Sequence, residues 1–162
     1  MKEIICDVRW EGPFHWPAEC DSLRNPNHVL YAIHGVHHLY GSNVLLYIGM
    51  IEKPEKTVAE RLTEHEYAWI DGEYEPVTVK VSSIGIHKGI KEWWQEWDNS
   101  CIYQRPELGI IKAVEKLLIY AHQPAYNTKE KGSLSTDQWL RVFNTGKCGR
   151  LLPELSYAYF AE

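Results

Sequence analysis

The stretch that decides the fold is VLYAIHGVHHLYGSNVLLYIGM, residues 29–50, in which two apolar runs each carry a tyrosine. Tyr31 lies in the first run and Tyr47 in the second. Both runs are rich in β-branched and aromatic residues, and the residues between them include Gly35 and a Gly-Ser-Asn sequence. This pattern predicts an antiparallel hairpin with an extended loop. The hairpin alone leaves open whether the tyrosines are core aromatics or face a substrate.

Four segments after the hairpin have the periodicity of regular structure. In chain order they predict a helix, a strand, a short Trp-rich helix and a long helix, at residues 55–70, 76–86, 88–100 and 106–122. Thr57 and Glu60 have the capping-box spacing that starts the first of these helices. Residues 135–146 predict one more short helix. The β-β-α-β-α order predicts an α+β domain with a small three-stranded mixed or antiparallel sheet flanked by helices.

The chain length favours a single domain over residues 1–162. Within it, residues 29–128 form the predicted core, residues 1–28 an N-terminal elaboration that begins with a short strand, and residues 129–162 a C-terminal extension. No apolar run approaches about 20 residues, and the N-terminus lacks the apolar core of a signal peptide. We therefore expect a soluble cytoplasmic protein that does not enter a membrane.

Composition restricts the classes of function. The four cysteines have no CxxC spacing, which argues against a zinc knuckle or a disulfide framework and favours buried free thiols. A net charge of -5 and a pI near 5.9 argue against a protein that coats nucleic acid through bulk charge. Residues 127–150 nevertheless hold five basic and two acidic side chains, which fits either a basic patch or an ordinary solvated surface.

Three residues on the predicted helices suggest chemistry. Glu115 has apolar residues three and four positions away, which places a carboxylate on an apolar helix face. Such a carboxylate needs a cation, a proton or an escape to the surface, and pairing with Lys112 is the structural alternative. Arg61 and His65 are four residues apart on one side of the first helix, where they suit a bound anion. Arg61 can instead form a solvated pair with Glu64.

These residues occur in one order that resembles the GIY-YIG nuclease family over residues 29–128. Tyr-Ile-Gly at residues 47–49 matches the second family motif, and Leu-Tyr-Ala at residues 30–32 retains the tyrosine of the first. Arg61, His65 and Glu115 then follow in sequence, and Asn127 ends a Pro-Ala-Tyr-Asn sequence. An asparagine in such a loop usually bonds its own backbone as part of a turn. The resemblance instead places Asn127 in the candidate active site.

The resemblance implies a metal-dependent endonuclease that hydrolyses DNA phosphodiester bonds without a covalent intermediate. By this likeness, Glu115 binds one divalent cation, Mg²⁺ or Mn²⁺, and Mg²⁺ commonly needs only one or two carboxylates because it keeps several waters. Arg61 would offset the charge of the pentacovalent transition state. Asn127 would order the loop of the glutamate or contact the backbone of the substrate.

The general base is the demanding part of this chemistry. A free tyrosine has a pKa near ~10, so only about one phenol in a thousand is ionised at neutral pH. Tyr47 is the candidate base and Tyr31 a positioning or proton-relay partner, with His65 able to assist either. We expect Arg61, the metal ion and a protonated His65 to lower the pKa of the base.

DNA is the expected partner. The predicted contacts to its phosphates come from four basic residues after the site motif, Lys129, Lys131, Arg141 and Lys147. A homodimer is one way to reach the second strand, and the sequence leaves open whether one forms. The alternative function is a non-catalytic module that recognises nucleic acid or protein on the same scaffold.

A histidine-based metal site is a further alternative. His34, His37 and His38 lie close together in the sequence, but the predicted hairpin loop would not give them the ligand geometry of a helix. A polar loop is the simpler explanation of these three histidines.

Overall fold

A computed structural model describes residues 2–73, 75–96 and 103–160 of the chain. The described part folds into six strands and three α-helices: β1 Ile4–His15, β2 Leu30–His37, β3 Gly41–Met50, α1 Val58–Ala68, β4 Thr78–His87, α2 Ile90–Glu96, α3 Leu108–His122, β5 Leu140–Gly146 and β6 Glu154–Ser156. The predicted α+β class is confirmed. The predicted three-stranded sheet is wrong, because all six strands form one mixed sheet in the order β3-β2-β4-β1-β5-β6.

The N-terminal strand β1 explains the larger sheet. It pairs antiparallel with β4 and parallel with β5, so it lies inside the sheet. Cys6 and Val8 are fully buried on one of its faces. On the other face the buried Asp7 accepts hydrogen bonds from Trp93 Nε1 (3.0 Å) and Tyr103 Oη (2.7 Å). The N-terminal segment was expected to be a short strand packed on the core. It is instead an interior strand, β1, that joins the strands β3-β2-β4 to the strands β5-β6.

The hairpin of β2 and β3 is present, but its connection is shorter than expected. Both strands extend into the polar segment, so only residues 38–40 join them. His34 and His37 lie within β2 rather than in a loop, which corrects that prediction. No histidine of this segment belongs to a group of three potential metal ligands in the part of the chain that the structure describes.

The helices begin and end for local reasons. Thr57 caps α1 with the predicted capping box: its side chain accepts from the Glu60 amide, and Glu60 Oε2 accepts from the Thr57 amide at 2.7 Å. The long helix α3 ends at His122, and its C-cap residue Gln123 has a φ of 49°, in the left-handed region. The Trp-rich helix predicted at residues 88–100 is present as α2 over Ile90–Glu96, and residues 97–100 lie outside the described residues. The helix predicted at residues 135–146 is wrong, because its second half is β5.

Two apolar cores cover the two faces of the sheet. One core contains buried side chains of α1, β2 and β4, such as Leu62, Ile33 and Val79. The other contains buried side chains of β1 and α3, such as Val8 and Leu117. The cavity described below lies where α1 and α3 both approach the edge strand β3. Among the described helices, none is both long enough and apolar enough to cross a membrane.

Candidate active site

Tyr31 and Tyr47 are neighbours on one face of the β2–β3 hairpin. Tyr31 lies directly opposite Gly49, and Tyr47 lies opposite Ile33, which makes the tyrosines a diagonal cross-strand pair. Their ring centroids are 6.1 Å apart with an interplanar angle of 26°. A Cβ atom at position 49 would overlap the Tyr31 phenol and press on the Tyr47 ring. Gly49 therefore provides the space in which the Tyr31 phenol lies across β3.

His65 lies on α1 one turn after Arg61 and forms a hydrogen bond with the Tyr31 phenol. His65 Nε2 is 2.7 Å from Tyr31 Oη, and Trp69 Nε1 donates a hydrogen bond to His65 Nδ1 at 3.1 Å. Indole nitrogen can only donate, so Nδ1 is the acceptor and the proton of the neutral imidazole is on Nε2. His65 therefore donates to Tyr31 Oη, which leaves the Tyr31 hydroxyl free to donate to another acceptor.

The charge state of His65 differs from the expected one. Burial, together with the nearby charge of Arg61, lowers the pKa of His65 to about 4. The imidazole is therefore neutral at pH 7 and acts as a hydrogen-bond donor rather than as a positive charge. The expectation that a protonated His65 lowers a tyrosine pKa is wrong for this structure.

Both tyrosines are protonated at neutral pH in this structure. Burial raises the pKa of Tyr31 above its usual range, and the nearby Arg61 only partly opposes this. Burial raises the pKa of Tyr47 as well, and the negative charge of Glu115 adds to the effect. Because Tyr31 is 1% exposed and Tyr47 is half-buried, Tyr47 is the more accessible of the two phenols.

Glu115 presents a carboxylate that has no hydrogen bond or ion pair among the residues that the structure describes. Lys112, the alternative partner, donates instead to Glu52 Oε1 at 2.9 Å. Burial, followed by the nearby Glu130, raises the pKa of the Glu115 carboxyl to about 7. A half-buried carboxylate that lacks a partner at neutral pH fits a position that binds a cation.

A single cavity of about 310 Å³ brings these groups together. Tyr31 and Tyr47 from the hairpin, Arg61 from α1 and Glu115 from α3 all line it, whereas His65 lies behind Tyr31. Sequence reasoning missed several residues of this cavity, which come from the end of β3 and the loop before α1: Met50, Ile51, Glu52, Lys53 and Lys56. Their signal was the charged Ile-Glu-Lys-Pro-Glu-Lys sequence that follows the Tyr-Ile-Gly motif.

Two of the basic side chains around the cavity form ion pairs within the fold. Arg61 Nη1 and Lys56 Nζ both bind the carboxylate of Glu64. The pairing of Arg61 with Glu64 was the structural alternative to anion binding. All three side chains are about 40% exposed, so solvent screens these pairs and each contributes only about 0–1 kcal/mol. A bound phosphate can therefore replace Glu64 at little cost.

Asn127 does not line the cavity but fixes the strand that carries Tyr47. Its Oδ1 accepts from the Ile48 amide and its Nδ2 donates to the Ile48 carbonyl, both at 2.9 Å. The side chain is 8% exposed. Asn127 therefore acts through β3 as a positioning residue, and the turn chemistry considered for it is absent from its side-chain hydrogen bonds.

The four basic residues predicted to contact DNA differ in their availability. Lys129 and Lys147 are exposed. Lys131 Nζ donates to the Pro124 carbonyl at 2.6 Å. Arg141 forms ion pairs with Glu3 and Glu154 within the fold. Contact with DNA stays a prediction for all four.

None of the three described cysteines lines the cavity. Cys6, Cys20 and Cys148 are free thiols, of which only Cys6 is fully buried, and Cys101 lies outside the described residues. Burial raises the pKa of the Cys6 thiol to about 12, so this thiol is unreactive at neutral pH.

Comparisons with known proteins identify no relative. No protein-family model matches the chain, and neither a curated protein nor a solved structure is significantly similar to it. The resemblance to GIY-YIG nucleases therefore stays a prediction that rests on the motif residues.

Proposed function

We propose that this protein is a divalent-metal-dependent endonuclease that hydrolyses DNA phosphodiester bonds. The observation that supports this most directly is the cavity, where two adjacent phenols, a guanidinium and an unpartnered carboxylate converge from three parts of the chain. Tyr31, Tyr47, Arg61 and Glu115 are also the residues that the GIY-YIG resemblance assigned to this chemistry. Membership of that family is part of the proposal.

Glu115 is the residue that would hold the cation, Mg²⁺ or Mn²⁺. The isolated carboxylate fits such an ion, because Mg²⁺ can be bound through one carboxylate and several waters. When bound, the ion would supply positive charge to stabilise the scissile phosphate and the departing 3′ oxygen.

Arg61 would bind the phosphate in exchange for its weak pair with Glu64. Its planar fork of donors matches two phosphate oxygens and keeps its charge at any working pH. In the transition state it would offset the negative charge that grows on these oxygens. Lys53 and Lys56, at the rim of the same cavity, would attract the neighbouring phosphates of the DNA backbone.

Tyr47 would take the proton of the attacking water while the water oxygen forms its bond to phosphorus and the bond to the 3′ oxygen breaks. Tyr31 would orient the water or a phosphate oxygen with its free hydroxyl. His65 would hold the Tyr31 phenol in place by donating from Nε2–H to its oxygen. Because the phenolate is the active form of the base, and the pKa of Tyr47 is raised, the proposal requires the rate to rise as the pH becomes alkaline.

Nicking of supercoiled plasmid in the presence of Mg²⁺ or Mn²⁺ tests the proposal. We expect the nicking rate to increase from pH 7 to pH 9 and to fall at least about 100-fold in Tyr47→Phe, the range of general-base contributions. Glu115→Gln should abolish metal-dependent nicking. Tyr67→Phe is the matched control, because Tyr67 is 86% exposed on α1. Undiminished activity in Glu115→Gln would contradict the metal assignment.

A non-catalytic module that binds nucleic acid or protein is the second candidate function. The ion pair of Arg61 with Glu64 and the protonated state of both phenols favour it. It predicts that DNA binds near the cavity without being cut at any pH or with either metal. Binding that weakens in Lys53→Ala, together with the absence of nicking by the unaltered protein, would support this function over the enzyme.

A further inference from the structure

A second group of potential metal ligands lies at the end of β4, away from the cavity. His87 is the last residue of β4 and is 1% exposed. Neither of its ring nitrogens has a hydrogen-bond partner in the described part of the chain. Leaving a buried polar group without a partner costs about 1–3 kcal/mol. This buried imidazole therefore has an unused lone pair, which is the group that metal ions bind.

Two carboxylates face this imidazole from α2. Glu92 and Glu96 are four residues apart and lie on the same side of the helix. One ligand atom from each glutamate and one from His87 all lie within 4.8 Å of one another. Glu92 Oε2 accepts a hydrogen bond from the Lys88 amide at 2.9 Å, which orients the carboxylate and leaves its second oxygen for another partner.

The neighbouring Trp93 holds α2 in this position. Its ring stacks on Phe143 with a centroid distance of 4.1 Å and an interplanar angle of 9°. Its Nε1 donates to the buried Asp7 at 3.0 Å. These two contacts anchor α2 to the sheet next to His87, on the helix that carries both glutamates.

We propose that His87, Glu92 and Glu96 bind a divalent first-row transition-metal ion such as Zn²⁺. Imidazole together with carboxylate is a ligand set that suits Zn²⁺ and its neighbours, whereas Mg²⁺ and Ca²⁺ prefer oxygen alone. Ligand atoms at about 2.0–2.2 Å from a tetrahedral ion stand about 3.3–3.6 Å apart. Atoms that lie within 4.8 Å of one another would therefore close by up to about 1.5 Å, which side-chain rotation of the two glutamates can supply. Three protein ligands leave a position for water or for another group.

This site is distinct from the candidate active site. Tyr31 pairs with Val81 of β4, and His87 lies six residues further along that strand. At about 3.3 Å per residue, this separates them by about 20 Å along β4. The ion would join the end of β4 to α2, and the nuclease proposal does not depend on it.

Isothermal titration of the purified protein with Zn²⁺ tests the proposal. The titration uses the Glu115→Gln chain, so that the cavity offers no carboxylate to the metal. We expect one Zn²⁺ per chain, a rise in Tm on binding, and a Kd at least tenfold weaker in Glu92→Gln and in Glu96→Gln. Both glutamates are accessible to solvent, so these variants should fold. Glu75→Gln, a change at an exposed loop residue, should bind as before.

Substitution of Co²⁺ for Zn²⁺ tests the type of ligand atom independently. We expect the absorption spectrum of the Co²⁺-bound protein to lack a thiolate charge-transfer band, because the proposed ligands are nitrogen and oxygen atoms. Such a band, or a Kd for Zn²⁺ that is unchanged in both glutamate variants, would overturn the proposal. Absence of Zn²⁺ binding by the Glu115→Gln chain would also overturn it. Plasmid nicking by Glu92→Gln should match that of the unaltered chain, which separates this site from the proposed nuclease function.

Discussion

Glu115 lies in the cavity at a cost to stability, because the fold gives its carboxylate no partner among the described residues. Its pKa is raised from 4.5 to about 7, first by burial and then by Glu130. A carboxyl group with a raised pKa in the folded state favours folding while it is protonated, and this contribution is lost as the pH rises from 4.5 through 7. The size of the shift limits the loss to about 3 kcal/mol.

We therefore predict that Glu115→Gln stabilises the protein while removing its metal-dependent activity. At pH 8 the free energy of unfolding should increase by about 1–3 kcal/mol, and the difference should disappear as the pH falls below 4.5. Urea unfolding at several pH values measures this. Glu55→Gln, at an exposed position, should change stability by less than about 0.5 kcal/mol. A variant that is less stable at pH 8 would show that Glu115 has a stabilising partner.

Trp69 selects the tautomer of the neutral His65 ring without lining the cavity. Its indole donates to His65 Nδ1, which keeps the imidazole proton on Nε2, facing Tyr31. Sequence reasoning identified His65 but not this partner, because Trp69 has the periodicity of an ordinary core aromatic. Replacing the indole with a ring that cannot donate would allow the other tautomer of His65, and this form has no proton for Tyr31 Oη.

Trp69→Phe should therefore lower the nicking rate about tenfold, with little change in the affinity for DNA. The ¹⁵N NMR shifts of the His65 ring nitrogens should show a mixture of tautomers, a signal that a loss of packing alone would not produce. The matched control is Trp94→Phe, because Trp94 is 71% exposed. An unchanged tautomer in Trp69→Phe would refute this role of the indole.

The element that carries Tyr47 is an edge strand, and the segment after α3 completes it. The Ala125 and Tyr126 amides donate to the Leu45 and Leu46 carbonyls at 3.1 and 2.7 Å. The Asn127 side chain then pairs with the backbone of Ile48. This segment satisfies backbone groups that an open sheet edge would leave exposed, and it fixes the strand on the side opposite β2.

Asn127→Ala should loosen β3 locally. Two hydrogen bonds to a buried backbone are lost, so we expect a loss of about 1–3 kcal/mol in stability and faster hydrogen exchange at the Ile48 amide. Nicking should decrease because Tyr47 is one residue away from the loosened position. Asn27→Ala, at an exposed loop residue, is the control. Unchanged exchange at Ile48 would show that the remaining backbone pairs alone hold the strand.

The elements that sequence patterns predicted correctly are those whose cause is local. The capping box of α1, the two runs of the hairpin and the amphipathic pattern of α3 are all readable within about fifteen residues. In contrast, β5 was predicted as a helix, although Leu140, Val142 and Asn144 alternate as buried residues of a strand. Its parallel pairing with β1 joins residues about 135 positions apart, and no local pattern indicates such a partner.

The residues of the candidate site also divide into those that a local pattern predicted and those that it did not. Four residues that the motif order predicted converge on the cavity, because adjacent strands and helices place them: Tyr31, Tyr47, Arg61 and Glu115. Asn127 does not line it. The residues supplied by a loop, such as Glu52 and Lys53, and those that act through another side chain, such as Trp69, were missed. Protonation could not be predicted either, since the pKa values of His65 and Tyr47 depend on burial, which a sequence does not show.

At the scale of the whole molecule, the motif-bearing core and its two extensions form one sheet. Residues 29–128 supply only the half β3-β2-β4, and β1 covers the open edge of β4. The apolar core around α3 also depends on the extensions, because it includes Val8 and Trp10 from one and Val142 from the other. Each such buried side chain contributes about 1.5–3 kcal/mol, compared with about 5–15 kcal/mol for the stability of a whole domain.

A chain limited to residues 29–128 should therefore fail to fold, although it contains every residue proposed for catalysis. We expect it to show no cooperative thermal transition by circular dichroism and no plasmid nicking, whereas the full chain shows one transition. A chain that starts at residue 3 is the control, because it keeps all of β1. A cooperative transition of the 29–128 chain, with a Tm close to that of the full protein, would show that the motif-bearing half folds independently and that β1 and β5 are additions to it.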